Sequence, residues 1–258
     1  VRAVETVVIK LGGSTLGEHD TSLDDLATLW RQGTRPVVIH GGGAIISSWL
    51  DRLGCPVLFH EGQRVTDPQA LEVAAAVLSG LVNKTLVASL QGRDVPALGL
   101  SGADGPLLGA RIVRPQLGLV GEVTWVNTHL IRLLLKEGFM PVVAPLALEW
   151  GDEGPTGRIL NVNADLAAGA VAASLAAPLL LLTDVPGVMA GGKTLPHLTP
   201  RRARALIASG QVSGGMVPKV EAALQAAAAG ACAIIADGRR EGTILQCLQG
   251  KTIGTRIG

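Results

Sequence analysis

Six lysines stand beside sixteen arginines in this 258-residue chain, and three of the six sit against glycines in ways that suit anion chemistry. Lys10-Leu11-Gly12-Gly13-Ser14 closes the apolar run Thr6–Leu11. Glycines at the carboxyl end of a strand let backbone N–H groups approach an anion, and a lysine at the last strand position adds charge to the same crevice. A tight turn with a solvent-facing lysine is the plainer alternative. Gly214-Gly215-Met216-Val217-Pro218-Lys219 leads into a helix with its lysine in the first turn. A cation there opposes the helix dipole, so an ordinary helix would prefer Asp or Glu, and the misplacement points to anion binding. The third lysine completes a formal phosphate-loop pattern from Gly187 to Gly192-Lys193-Thr194. Such a loop must run into a helix, and Pro196 and Pro200 prevent one.

Three further groups carry suitable residues. His40-Gly41-Gly42-Gly43-Ala44 lies between the run Pro36–His40 and a helix reaching to about Arg52. Consecutive glycines opening a helix expose N–H donors beside the positive end of its dipole, which suits a carboxylate or phosphate. A dinucleotide fingerprint would need Gly or Ala where Ile46 stands, although Glu61 lies where a ribose-binding acid is expected. His40 reads as a structural cap rather than a catalyst. Asn161-Val162-Asn163-Ala164-Asp165 sets two amides and a carboxylate at a strand-to-helix junction, where Asn163 alone could serve as a cap. In Gly62-Gln63-Arg64-Val65-Thr66-Asp67 an arginine precedes a capped helix. Arginine matches carboxylates bidentately, though a surface arginine is the commoner outcome.

The elements that must position these groups show in the apolar pattern. Thr6–Leu11, Pro36–His40, Val95–Leu100, Met140–Pro145, Leu179–Thr183 and Ala231–Ala236 have the length of strands buried on both faces. Helix signals fall between them: Ser22, Asp67-Pro68, Asn127 with Gly138 as a stop, and Thr199-Pro200. The alternation predicts an α/β fold with a mostly parallel sheet. Leu107–Arg114 facing Leu119–Trp125, and Ala147–Trp150 facing Arg158–Asn161, predict two antiparallel hairpins decorating it. If two lobes exist, the helix after Asn163 joins them.

Composition excludes other classes. With 48% hydrophobic and 17% charged residues the chain can bury a core, and a net charge of +1 gives no electrostatic reason to expect nucleic acid or a membrane as partner. Aromatics at 2% and 34 glycines predict an aliphatic core with close backbone approaches. Three cysteines without a C-x-x-C pair and five scattered histidines favour neither a disulfide scaffold nor a zinc site. Val7-Val8-Ile9 is too short for a signal peptide. The uncharged run from Leu166 to Thr183 is broken by Gly169, Ser174 and Pro178, so it reads as a buried helix and strand of a cytoplasmic protein.

Taken in order, Lys10-Leu-Gly-Gly13, His40-Gly-Gly-Gly43, Gly62-x-Arg64-Val-Thr66, Val82-Asn-Lys84, Gly99-Leu-Ser101, Asn161-Val-Asn-Ala-Asp165, Leu182-Thr-Asp-Val-Pro-Gly187, Gly214-Gly-Met-x-Pro-Lys219 and Gly254-Thr-Arg-Ile257 resemble the amino-acid kinase superfamily across essentially the whole chain. Within it they are similar to the branch that phosphorylates N-acetyl-L-glutamate. The resemblance implies a three-layer sandwich in two lobes, with residues 1–175 binding the amino acid and forming a dimer, and residues 176–258 binding ATP. It implies transfer of the γ-phosphoryl of ATP to a side-chain carboxylate, a step in arginine biosynthesis. A glutamate carboxylate is ionised at pH 7 and needs no general base. On the same resemblance Lys10, Lys219 and Asp165 are catalytic, Gly42, Gly43, Arg64 and Asn161 hold the acceptor, and Gly12, Gly13 and Asp184 meet ATP. Mg²⁺ is expected to ride on ATP, with no protein metal site. Ala103 departs from the family, most relatives carrying lysine there.

The alternatives are a kinase acting on carrier-linked glutamate or aminoadipate in lysine biosynthesis, a non-catalytic metabolite sensor, and a nicotinamide-dependent oxidoreductase. The carrier branch tends to carry Gly-Asp where this chain has Ala164-Asp165. Arginine-inhibited relatives have an additional N-terminal helix that builds a hexamer, for which the sequence before the first strand leaves no room. The expectation is therefore an arginine-insensitive homodimer, paired through the stripe Leu71, Val73, Ala74, Val77, Leu78, Leu81 and Val82. The same stripe could instead face its own sheet.

Overall fold

A computed structural model describes residues 6–12, 21–60 and 62–258. The chain begins with β1 (Thr6–Leu11), α1 (Ser22–Arg31), β2 (Arg35–His40), α2 (Gly43–Arg52) and the short hairpin of β3 (Phe59–His60) and β4 (Gln63–Arg64). One long helical run follows, made of α3 (Pro68–Ala75), a π-helical segment over Ala76–Val82 and α4 (Asn83–Gln91). Next come β5 (Ala97–Ser101), β6 (Leu108–Arg111), β7 (Val120–Val126), α5 (Thr128–Lys136), β8 (Met140–Ala144), β9 (Leu146–Gly151) and β10 (Gly154–Val162). The remainder is α6 (Ala164–Leu175), β11 (Leu179–Thr183), the hairpin β12 (Met189–Ala190) and β13 (Lys193–Thr194), β14 (His197–Leu198), α7 (Pro200–Ala208), α8 (Met216–Ala228), β15 (Ala233–Asp237), α9 (Thr243–Leu248) and β16 (Thr255–Ile257).

Three predicted caps close as their residue types require. Asp67 accepts from the N–H of Ala70 at 2.7 Å, Asn127 from Leu130 at 3.2 Å and Thr199 from Arg202 at 3.3 Å. Lys193 lies in a strand of the β12–β13 hairpin, so the phosphate-loop pattern has no helix to open.

The central sheet has the order β14-β16-β15-β11-β1-β2-β8-β5, parallel throughout except between β15 and β16. The chain builds outward from β1 through β2 to β8 and β5, then crosses back to lay β11 on the other side of β1. Ligands of open α/β sheets sit at such a reversal, at the carboxyl ends of the strands. Here that place is the end of β1, at Lys10.

Strand periodicity decides which helices meet which residues. Val8 of β1 faces a cluster built with Ala167, Ala168 and Val171 of α6 and Val220, Ala222 and Ala223 of α8. Val7, Ile9 and Leu11 face the opposite cluster with α1, α3 and α4. Lys10 shares the side of Val8, which directs it to α6 and α8. His40 of β2 shares the side of Val38 and points to α4.

The hairpins form as predicted, β6 with β7 and β9 with β10. They do not merely decorate the sheet: parallel pairing of β10 with β7 and of β6 with β9 closes the four into a small barrel. The stripe on the long helix also differs from its expected role as a pairing face. Val73, Ala74, Val77, Leu78 and Val82 are buried in the protein's own core, Leu71 is half-buried, and Leu81 is exposed. The run Pro68–Gln91 is long and apolar enough to cross a membrane, and that apolarity serves this internal packing.

Alanine and glycine content has a local cause where α6 meets α8. A Cβ on Gly169 would come within 2.7 Å of the Ala222 backbone. This close crossing, four residues after Asp165 and three after Lys219, sets the two helix N-termini side by side. Gly169→Val should therefore overpack the contact and cost about 1–3 kcal/mol, read as a lower urea midpoint, and should depress turnover by parting Asp165 from Lys219. An unchanged midpoint would show that the helices do not depend on this contact.

Candidate active site

Lys10 is the fifth residue of β1, in register with Ile39 of β2 and Leu181 of β11. Asp165 belongs to the first turn of α6, which Asn163 caps by accepting from the N–H groups of Asp165 at 2.9 Å and Leu166 at 3.2 Å. Asp165 thus lies at the positive end of a helix dipole, and Lys219 lies at the same end of α8. The carboxylate joins both lysines: Lys219 Nζ donates to Oδ2 at 2.9 Å, and Lys10 Nζ stands 3.0 Å from Oδ1 as an ion pair off the hydrogen-bond direction. The side chains of Lys10 and Asp165 are buried, and that of Lys219 is partly so, at 15% exposed. Lys219 also donates to Gly215 O at 3.3 Å.

Burial pushes the Asp165 carboxyl up, but the charges of Lys10 and Lys219 and the hydrogen bond from Lys219 outweigh it and hold the group below its ordinary 3.8. Two cations and one anion leave a formal surplus of one positive charge where water is scarce. A second anion is what that surplus would attract.

The cleft that opens from Lys10 and Asp165 is lined by Gly41, Gly42, Gly43, Arg64 and Asn161. Arg64, at the end of the β3–β4 hairpin, is held by Nη2 donating to Gly43 O at 2.9 Å and Ser47 Oγ at 2.6 Å, with Phe59 packed 4.9 Å from its guanidinium. Its Nη1 is buried and meets no partner among the described residues. Burial lowers the Arg64 pKa below its ordinary value, yet a guanidinium stays charged at neutral pH. An unpaired buried donor at the wall of a cleft is a ready partner for a carboxylate. Asn161 Nδ2 donates to Thr66 Oγ1 at 3.1 Å.

The structure thus brings Lys10, Asp165, Gly42, Gly43, Arg64 and Asn161 around one cleft, with Lys219 attached through Asp165. Gly12 directly follows β1, and Gly13 lies outside the described residues. Asp184 follows β11 and is exposed, accepting from Thr183 Oγ1 at 3.2 Å. Nearby, Arg239 grips Asp237 through two contacts of 2.9 Å, which hold that carboxyl below its usual range. Ser47, Phe59 and the Asp237–Arg239 pair were not singled out by the sequence. Only the helical spacing from Gly43 to Ser47 could have signalled the first. Around Ala103, Asp104 Oδ2 accepts from the Ser101 N–H at 2.6 Å, closing the turn without any side chain at 103.

A parallel sheet with paired lysines, a bridging carboxylate and glycine N–H donors at its switch point defines a class of protein that holds two anions together. The chain belongs to the amino acid kinase family, whose model matches residues 5–237. It is 46% identical over 255 residues to an acetylglutamate kinase of Rubrobacter xylanophilus, covering 98% of this chain and 97% of that one. An acetylglutamate kinase of Dehalococcoides mccartyi is 44% identical over 255 residues, covering 97% and 93%. A crystal structure of smu.665 from Streptococcus mutans superposes with a TM-score of 0.83 at 30% identity, over 98% of both chains.

Because folding depresses the Asp165 pKa below an unfolded value of about 3.9, the stability it contributes is complete above that value and is lost as pH falls through the lower folded one. Asp165→Asn should therefore fold with reduced stability at neutral pH, and its gap to the parent should close on acidification, as read from urea midpoints. A gap independent of pH would contradict an ionised Asp165 between the lysines.

Proposed function

We propose that this chain is a phosphotransferase that moves the γ-phosphoryl of ATP onto the side-chain carboxylate of N-acetyl-L-glutamate, giving the acyl phosphate used in arginine biosynthesis. The observation that carries the reading is the buried Lys10–Asp165–Lys219 bridge, with its surplus positive charge, at the mouth of the cleft that ends in Arg64. Its full-length relatives named acetylglutamate kinase support the acceptor. They do not favour the carrier-linked alternative.

The acceptor carboxylate is already ionised and attacks the γ-phosphorus, while the bond from that phosphorus to the ADP oxygen breaks. Charge spreads over the transferring group and both oxygens in line with it. On this reading Lys10 and Lys219 neutralise that charge, Asp165 keeps them apart and aimed, and Gly42 and Gly43 add N–H donors. Arg64 and Asn161 hold the α-carboxylate and acetamide end of the acceptor. Gly12, Gly13 and Asp184 belong to the nucleotide side. The lobe of residues 1–175 then takes the amino acid, and residues 176–258 take ATP. Both oxygens of Asp165 are committed to lysines, so Mg²⁺ would travel on the nucleotide's phosphates. The reading includes a cytoplasmic homodimer, for which exposed Trp49, Leu53 and Leu81 between α2 and the long helix offer an apolar face.

Hydroxylamine traps acyl phosphates. An ATP-dependent hydroxamate assay should give product with N-acetylglutamate and little with glutamate, N-acetylaspartate or carrier-linked glutamate; preference for any of these would overturn the acceptor. Removing one partner of a desolvated charge pair costs about 2–5 kcal/mol. Arg64→Ala should accordingly raise the acceptor KM thirtyfold or more and leave ATP binding nearly unchanged, and calorimetry showing undiminished acetylglutamate affinity would refute the assignment. Lys219→Ala should behave oppositely, lowering kcat far more than it weakens the acceptor. Equal kcat in variant and parent would remove Lys219 from the chemistry.

A further inference from the structure

Behind the glycine loop lies a polar network that the phosphoryl chemistry does not use directly. His40 ends β2 and is fully buried. Burial, reinforced by the Lys84 charge and only partly opposed by the contact with Gly41, holds its imidazole down at about 4, so the ring is neutral. A neutral imidazole carries one ring proton, and its neighbours decide which nitrogen has it.

Here the decision starts at Lys84. Its Nζ donates to Asn83 Oδ1 at 2.9 Å and to Gly99 O at 3.0 Å. An ammonium can only donate, so the amide oxygen of Asn83 must be the atom that faces it. The Nδ2 group therefore faces the other way, donating to Val142 O at 2.9 Å, with Leu100 O at 3.4 Å, and meeting His40 Nε2 at 3.1 Å. Nδ2 too can only donate, which makes Nε2 the acceptor and leaves the proton on Nδ1. Nδ1–H then donates to Gly41 O at 2.9 Å.

The consequence falls on the next peptide. The Gly41–Gly42 bond is trans, so its N–H points opposite to its C=O. Drawing Gly41 O back onto the imidazole turns the Gly42 N–H away from the ring, on the side of the cleft that Gly41, Gly42 and Gly43 line. The loop is also tied by Gly41 N–H to Leu11 O and by Ile46 N–H to Gly42 O, both at 3.0 Å. The Gly42 N–H itself meets no acceptor among the described residues. Leu78 of the π-helical segment presses on the same residue, where a Cβ on Gly42 would come within 2.7 Å of it.

We propose that His40, with its proton placed by Lys84 through Asn83, is a positioning residue that aims the Gly42 N–H at the anion held in the cleft. The inference rests on the phosphoryl-transfer reading and assigns His40 no contact with substrate. It works through the backbone, so its loss acts on the transition state more than on the fold.

Three measurements test it together. In the ¹⁵N spectrum of the parent protein, His40 should show a protonated Nδ1 and an unprotonated, hydrogen-bonded Nε2. A proton on Nε2 would overturn the chain of donors whatever the variants do. His40→Phe keeps the ring's bulk without the donor and should lower kcat by about 10–100-fold, less than the roughly 10²–10³-fold cost of removing an oxyanion donor outright, while the acceptor KM moves much less. His40→Asn places an amide N–H near the position of Nδ1 and should recover most of that loss. A His40→Phe enzyme that melts earlier yet turns over at the parental rate would reduce His40 to packing, as would an asparagine variant no better than phenylalanine. A parent protein inactive toward every acceptor would instead sink the reading of function and leave the spectrum as the remaining test.

Discussion

Two ammonium groups can be buried side by side only if an anion stands between them, and much of the architecture around Asp165 answers that requirement. Taking charges out of water costs several kcal/mol per ion, recovered only when partners are close and well aimed. Lys10 and Lys219 lie 209 positions apart in the chain, and a single carboxylate reaches both within about 3.0 Å. For that to happen a strand must end, a helix must begin and a second helix must begin at the same point. The reversal of strand order around β1, the Asn163 cap and the Gly169–Ala222 crossing supply those three conditions.

On the proposed reading, the arrangement separates tasks by distance from the reacting atoms. The lysine bridge gives charge and Asp165 gives it direction. The cleft walls, ending at Arg64 with its unpartnered Nη1, give a place for a second anionic group. On the same reading the glycine loop contributes N–H donors, and the buried side chains behind it, His40 bonded to Gly41 O, hold a loop that has no side chains of its own. The supporting cores stay aliphatic, and the helices nearest the bridge are rich in alanine, because large side chains between α6 and α8 would push Asp165 away from Lys219.

Much of this was legible in the sequence, and the exceptions have physical reasons. Six strands of the central sheet were visible, the edge strand β5 among them, because strands covered on both faces must be continuously apolar. Lys10 and Lys219 stood out because each sat near glycines where backbone must come close, Lys219 also against a helix dipole, while Asp165 showed only as one of three polar residues clustered at a strand-to-helix junction. The short strands β3, β4 and β12 to β14 were not visible, since two residues carry no periodicity. The closed barrel was missed because its parallel pairings join segments whose spacing leaves no local mark. The stripe on the long helix misled in a different way. Helical periodicity announces that a face is covered without saying by what, and here the cover is the protein's own core. His40 was read as a cap, and only the register of β2 against α4 showed it to be one end of a donor chain.

The central claim is that the lysine–aspartate–lysine bridge is built for the transferring phosphoryl and not merely for holding the fold. Calorimetric titration of ADP, N-acetylglutamate and aluminium fluoride, a planar mimic of that group, addresses this without relying on turnover. The account predicts a ternary complex in the parent far tighter than either substrate alone, and an Asp165→Asn protein that binds acetylglutamate normally but gains almost nothing from the fluoride. A variant that binds the mimic as tightly as the parent would show that the bridge serves structure alone.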